Sequence, residues 1–140
     1  MRFWDASGIV AVCTDDGHAS QAVPLLEQDP DVAVWWGTSV ECMSGFRKQR
    51  REGQLDDERE RQALARLEAL ARVWLEVAPS DGVRRSAERL LYRHALKAAD
   101  ALQLAAALEW AGEGGGGDFV SFDQRLARAA AAEGFTILPG

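Results

Sequence analysis

At 140 residues, with 47% hydrophobic and 27% charged side chains, the chain has the composition of an ordinary globular protein and can bury a core without disulfide or metal staples. No run of about 18 apolar residues is present, which excludes a membrane-spanning helix, and no secretory leader pattern opens the sequence, so one cytoplasmic domain, 1–140, is expected. The net charge of −6 excludes a surface coated for general nucleic-acid binding.

The charges are segregated. Residues 1–46 hold one base, Arg2, against seven acids, while bases gather at Arg47, Lys48, Arg50 and Arg51 and again at Arg84, Arg85, Arg89, Arg93 and Lys97.

Phe3-Trp4 reads as a short strand, and apolar residues at helical spacing through Ile9, Val10 and Cys13 put a helix at 6–14. Asp5 sits at the hand-over, where its carboxylate suits an N-cap. Asp15-Asp16-Gly17 is a turn. A helix over 18–28 follows, with Pro24 marking its first turn or a kink. Asp31 to Trp36 is too apolar for a half-exposed strand and reads as buried. Thr38 and Glu41 have capping-box spacing at the start of the next helix, which runs into the basic segment 47–51.

Asp56 to Glu76 reads as one long amphipathic helix, followed by a short extended Val77-Ala78. Val83, Ala87, Leu90, Leu91 and His94 define another helix, with four arginines toward its other side. The alanine-rich stretch 98–108 gives a third. After the Gly114–Gly117 loop, 119–122 is a strand, Asp123 opens a helix that Gly134 ends, and 135–138 is the last strand. The alternation predicts a parallel sheet with helices on both faces. Cys13 and Cys42 read as buried thiols, and His18 and His94 as isolated structural or surface residues.

Ligands of open parallel sheets bind outside the carboxyl ends of the strands. Asp5 and Asp123 follow strands, Glu41 lies in the first turn after a strand, and Asp100 lies in the first turn of the alanine-rich helix. Capping explains each acid separately and predicts nothing about their convergence. Two unit charges about 4 Å apart repel by roughly 4 kcal/mol at an effective dielectric near 20. Clustered carboxylates therefore imply protonation or a cation, and their hard oxygens suit Mg²⁺ or Mn²⁺. Such ions serve phosphodiester hydrolysis. Asp118 precedes its strand, roughly 13 Å from the other end at about 3.3 Å per residue, which favours Asp123 as the fourth acid.

With Trp4-Asp5-Ala6-Ser7, Ser39-Val40-Glu41, Ala98-Ala99-Asp100-Ala101-Leu102-Gln103-Leu104-Ala105 and Val120-Ser121-Phe122-Asp123-Gln124-Arg125-Leu126 in this order, the sequence resembles the PIN-domain nucleases. The likeness is greatest to the VapC-type toxins of bacterial toxin–antitoxin pairs and covers essentially the whole chain. The resemblance implies a three-layer α/β/α domain with a short, mostly parallel central sheet. It implies a metal-dependent endoribonuclease with Asp5, Glu41, Asp100 and Asp123 as catalytic acids around Mg²⁺ or Mn²⁺, supported by the hydroxyls of Ser7 and Ser121. It also implies inhibition by a cognate antitoxin, seated over the apolar material around Val12, Leu25, Leu26, Trp35 and Trp36, and a homodimer.

Arg84, Arg85, Arg89, Arg93 and the 47–51 run are candidate RNA phosphate contacts, with solvated helix faces as their simpler role. Glu41 as ligand, water-positioner or cap stays open, as do the number of ions and the RNA target. Trp4, bulky beside the first acid, and the acidic net charge depart from the family's pattern. A catalytically weak interaction module acting through antitoxin and DNA is the alternative, and retention of all four acids counts against it. A phosphohydrolase of the haloacid dehalogenase type would need an acid where Ser7 stands.

Overall fold

The computed structural model describes residues 1–140. Five strands, β1 (Arg2–Trp4), β2 (Val32–Trp35), β3 (Leu75–Val77), β4 (Asp118–Val120) and β5 (Thr136–Leu138), alternate with seven helices. The helices are α1 (Ala6–Cys13), α2 (Ala19–Gln28), α3 (Thr38–Arg51), α4 (Asp57–Ala71), α5 (Asp81–Arg93), α6 (Ala98–Ala111) and α7 (Gln124–Ala132). The strands form one sheet in the order β3-β2-β1-β4-β5, and every pairing is parallel. No helix is long and apolar enough to cross a membrane.

Successive side chains along a strand point to opposite faces, and here the two faces feed two cores. Phe3, Ala33, Trp35, Phe119 and Ile137 pack against α5, α6 and α7 through Val83, Leu90, Leu104 and Leu126. Trp4, Val34, Val120 and Leu138 pack on the other side against Ile9, Leu25, Phe46 and Leu67 of α1 to α4. The result is the expected three-layer α/β/α fold. Because both faces are covered, the central strands read as apolar runs and not as alternation. The alanines of α6, fully buried at 101, 106 and 107, let that helix lie close against its neighbours.

The chain builds outward from β1 through β2 to β3, then crosses back and continues through β4 to β5. β1 and β4 thus flank the point where the direction of winding reverses, and helices leave their carboxyl ends on opposite faces. Such a point opens a crevice at the sheet edge. The Asp5 N–H donates to the Val120 carbonyl at 3.1 Å, tying the end of β1 to the end of β4.

The structure corrects three sequence expectations. The helix over 56–76 ends at Ala71, and β3 occupies Leu75–Val77. The spacing of Leu67, Leu70 and Trp74 runs on as if helical, but Trp74 instead wedges into the core as the chain drops to the sheet. With Leu75 and Glu76 exposed, β3 shows no period of two. The capping box does not form: α3 is capped by Gly37 without a side-chain bond, because Thr38 and Glu41 turn to another partner. Pro24 lies inside α2, neither at its start nor its end. Pro24 and Ser20, whose carbonyl the missing N–H leaves free, are both exposed, so water can satisfy it.

Cys13 and Cys42 are buried free thiols as expected. Burial pushes the Cys13 thiol up to about 12 and raises Cys42 as well. Asp118 sits at the amino end of β4, 3.3 Å from the Arg2 guanidinium, at the opposite end of the sheet from Asp5.

Trp4 reaches its place because the first turn of α1 carries a glycine, Gly8. A Cβ on Gly8 would stand 2.9 Å from the Trp4 ring and 3.3 Å from Val120. Gly8→Ala should therefore lower stability by roughly 1–3 kcal/mol through overpacking, reversing the gain of about 1 kcal/mol that alanine brings to a helix. Thermal unfolding at fixed pH measures the sign.

Candidate active site

Asp5 is 2% exposed and its two oxygens are separately held. Oδ1 accepts from the Ser7 hydroxyl at 2.6 Å and the Gly8 N–H at 2.9 Å. Oδ2 accepts from the Ser121 hydroxyl at 2.5 Å. The cap reading is thus correct, and only part of the account. Burial lifts the carboxyl from 3.8 to about 6, against the lowering effect of Ser121, Ser7 and Gly8, and the Asp123 charge adds to the rise. Ser121 also accepts the Asp123 N–H at 3.1 Å, and Ser7 accepts the Phe122 N–H at 2.8 Å. The two serines tie the turn after β1 to the turn after β4.

Glu41 enters from α3. Its Oε2 accepts from Gln103 Nε2 at 2.7 Å, and the same nitrogen lies 3.0 Å from the Thr38 hydroxyl. Burial raises Glu41 to about 7, opposed by Gln103 and reinforced by the charges of Asp5 and Asp100. Asp100, half-buried at the start of α6, is raised by burial and by Asp123, while Lys97 and Arg125 pull it down. Asp123 caps α7, its Oδ1 accepting from Leu126 N–H at 3.1 Å.

The repulsions close a ring: Asp123 acts on Asp5, Asp5 on Glu41, Asp100 on Glu41, and Asp123 on Asp100. Four separate elements therefore bring the four acids to one edge of the sheet. Lys97, Asp100, Asp123, Gln124 and Arg125 line an open cleft of about 520 Å³ beside them.

The donor set suits a hard divalent cation. It offers only oxygen ligands, and the buried Asp5 carboxylate has hydrogen-bond donors but no cationic partner. No three His, Cys, Asp or Glu side chains yet stand as a closed metal-binding group. Asp100 and Asp123 are the half-exposed members of the set, and Asp123 is held as the cap of α7.

The arginines of α5 are dispersed. Arg84 lies 3.6 Å from Asp81. Arg93 pairs with Glu133, which also takes His94 at 2.8 Å, at the far end of α7 from Asp123. Arg85 and Arg89 are exposed. In the 47–51 run, Arg47 and Arg50 pair with Glu60 and Asp57 of α4. The sequence reading missed Gln103, although a polar residue three positions after Asp100 within an Ala/Leu helix marks the same face. It also passed over Lys97 and Arg125 as the bases nearest the acids.

The sequence matches the PIN domain over residues 2–132. No curated protein matches it. Among solved structures it is similar to VapC20 of Mycobacterium tuberculosis, a sarcin-ricin loop cleaving toxin, with 20% identity, TM-score 0.69 and coverage of 92% of this chain and 95% of that one. VapBC2 of Rickettsia felis, bound to a promoter DNA fragment, gives 12% identity, TM-score 0.68 and 97% coverage of both chains. FitAcB of Neisseria gonorrhoeae gives 18%, 0.65 and 97% of both. These likenesses establish a shared fold.

A raised carboxyl makes the folded state bind its proton more tightly than the unfolded chain does. The penalty at Asp5 is therefore absent below pH 3.8, grows toward pH 6 and is complete above it. At about 1.4 kcal/mol per pKa unit it reaches about 3 kcal/mol. Without divalent ions the melting temperature should fall as the pH is raised from 4 to 7. Mn²⁺ at pH 8 should restore several degrees, and Asp5→Asn should reduce the slope, leaving the part that Glu41 contributes, and weaken the Mn²⁺ response. Thermal melts across pH, with and without Mn²⁺, measure all three.

Proposed function

Because the chain belongs to the PIN domain family, we propose that it is a metal-dependent endoribonuclease, the toxin of a type II toxin–antitoxin pair restrained by a cognate antitoxin. The carrying observation is the ring of mutually repelling carboxylates at the winding reversal, with Lys97 and Arg125 at its rim. A site that concentrates negative charge and borders it with bases suits a substrate that is itself an anion and needs a cation between them. VapC20, a neighbour in fold, cleaves a sarcin-ricin loop, which supports RNA as the substrate. VapBC2 supports an antitoxin partner, and a homodimer working in the cytoplasm completes the proposal.

Asp5, Asp100, Asp123 and Glu41 would hold Mg²⁺ or Mn²⁺. When bound, the ion neutralises phosphate charge and lowers the pKa of water. Ser7 and Ser121 fix both oxygens of Asp5, so its orientation is set before any ligand arrives. Gln103 holds Oε2 of Glu41 and leaves Oε1 free. Where the ion rests on the three aspartates, the free Oε1 of Glu41 would be available to take a proton from an attacking water. Lys97 and Arg125 hold the phosphate from the solvent side.

A non-catalytic module acting through antitoxin and DNA is the second reading, favoured by the promoter-bound neighbour. A mixed RNA pool incubated with and without Mn²⁺ separates the two: fragments that appear only with the ion support the nuclease. Asp100→Asn, at a half-exposed position, should keep the fold and lower cleavage by roughly 100-fold or more. Unimpaired cleavage by that variant would sink the assignment.

Gln103→Leu should leave Glu41 with a higher pKa, since the amide N–H is what opposes the rise. The acid limb of the cleavage pH profile should then move to higher pH, and an unmoved limb would remove Glu41 from the proton-accepting role.

A further inference from the structure

A second cavity, of about 360 Å³, opens at the same edge of the sheet on the other side of the acids. Trp35, Pro79, Ser80, Asp81, Val83, Arg84 and Leu102 line it. Trp35 ends β2, the neighbour of β1, and Leu102 follows Asp100 by two residues on α6. One to two strand spacings, roughly 5–10 Å, separate its wall from the strand that presents Asp5. That is about the reach of one nucleotide.

The walls suit a flat heteroaromatic ring. Trp35, Val83 and Leu102 supply apolar surface, and polar groups stand at the edges. Trp35 is only 8% exposed, and its indole N–H, which no hydrogen bond of the structure uses, lies against Gly37. Gly37 makes room for it: a Cβ there would come within 2.7 Å of Trp35 Nε1. The Ser80 hydroxyl accepts the Val83 N–H at 3.1 Å and keeps its own hydrogen to donate. The Asp81 carboxylate can accept from a base amino group, and Arg84, 75% exposed at its side chain, is placed for a phosphate. Beside the cavity Trp36 is 57% exposed, offering a free aromatic face.

We infer that this cavity binds one nucleobase of the RNA strand, next to the cleaved phosphodiester, with Arg84 on the adjoining phosphate. The inference rests on the ribonuclease reading and adds a subsite to it. Three stations then lie along the sheet edge. Lys97 and Arg125 stand on the α7 side, the four acids in the middle, and the base cavity on the β3 side. A single strand laid across them keeps phosphates on cations and its scissile bond over the carboxylates. Base contacts of this kind also provide sequence preference, which phosphate contacts cannot.

The test uses the full chain and a fluorescein-labelled ten-nucleotide single-stranded RNA of mixed sequence, with Ca²⁺ in place of Mn²⁺ to neutralise the carboxylates without the tight octahedral geometry of a catalytic ion, read by anisotropy. Leu102→Trp fills the cavity, and Arg84→Glu alters only an exposed side chain, so it decides the matter if the first variant does not fold. Each should weaken binding by about tenfold, the scale of one lost base contact, while the Mn²⁺-induced shift in melting temperature stays as in the parent. Cleavage of RNAs carrying one abasic position each should then show a single position beside the cleaved bond where base loss slows the parent by about tenfold and Leu102→Trp no further. Parent-like binding by both variants, or an abasic effect of equal size in parent and Leu102→Trp, overturns the cavity while leaving the nuclease reading intact. Failure of the parent to bind or cleave any RNA overturns both.

Discussion

Asp5 is a carboxylate buried at the reversal of a parallel sheet, and the surrounding structure is arranged to tolerate it. Its N–H fastens β1 to β4, and Ser7, Gly8 and Ser121 donate to its oxygens. These bonds satisfy its lone pairs but bring no positive charge. Burial still outweighs them, so the carboxyl is held near 6. Asp123 adds its repulsion to Asp5 directly, and Glu41 and Asp100 are raised in turn by their acidic neighbours. A fold optimised for stability alone would place asparagine or a salt bridge here. Retaining an unneutralised cluster makes sense where a cation completes it.

The tryptophan before Asp5 bears on the same constraint. Trp4 is wholly buried, and it fits only because Gly8 lets α1 descend onto the ends of β1 and β4. The same glycine supplies the N–H that Asp5 accepts. One small residue therefore serves packing and charge together. Gly37 plays a parallel part at the end of β2, where its missing Cβ admits the edge of Trp35. At both strand ends a bulky indole anchors the sheet while the following turn stays open enough to present polar groups. The departure from the family's pattern at Trp4 is thus absorbed locally.

What the sequence disclosed follows the range of the interactions involved. Asp5 and Asp123 could be placed because a strand handing over to a helix leaves its marks within a few residues. Both do cap their helices. Glu41 was misread as half of a capping box because the local spacing with Thr38 was satisfied, whereas its real partner, Gln103, lies 62 residues away. β3 was absorbed into the preceding helix because only Val77 of its three residues is buried. The α5 arginines formed a visible stripe; the pairing of Arg84 with Asp81 is local to the helix, but that of Arg93 with Glu133 is a tertiary fact. Spacing reports what one element does with itself, and the ring of acids arises where four elements meet.

The negative net charge is the remaining difficulty for an anionic substrate, and what decides it is where unpaired charge stands. Glu60 and Asp57 hold Arg47 and Arg50, Glu133 holds Arg93, and Asp118 holds Arg2, and each such pair cancels itself without changing the total. Four further acids form the candidate site, where a divalent cation would reverse the local sign. Half of the bases of the 47–51 run, Arg47 and Arg50, are neutralised by α4. Lys97 and Arg125, by contrast, border the acids and form no ion pair in the structure while lowering the pKa of Asp100. Screening over about 8 Å at physiological salt hides distant charge, so the field a substrate meets at this edge is set by these rim cations and by whatever ion the carboxylates hold. An overall charge of −6 then disfavours RNA everywhere except at the one edge built to receive it.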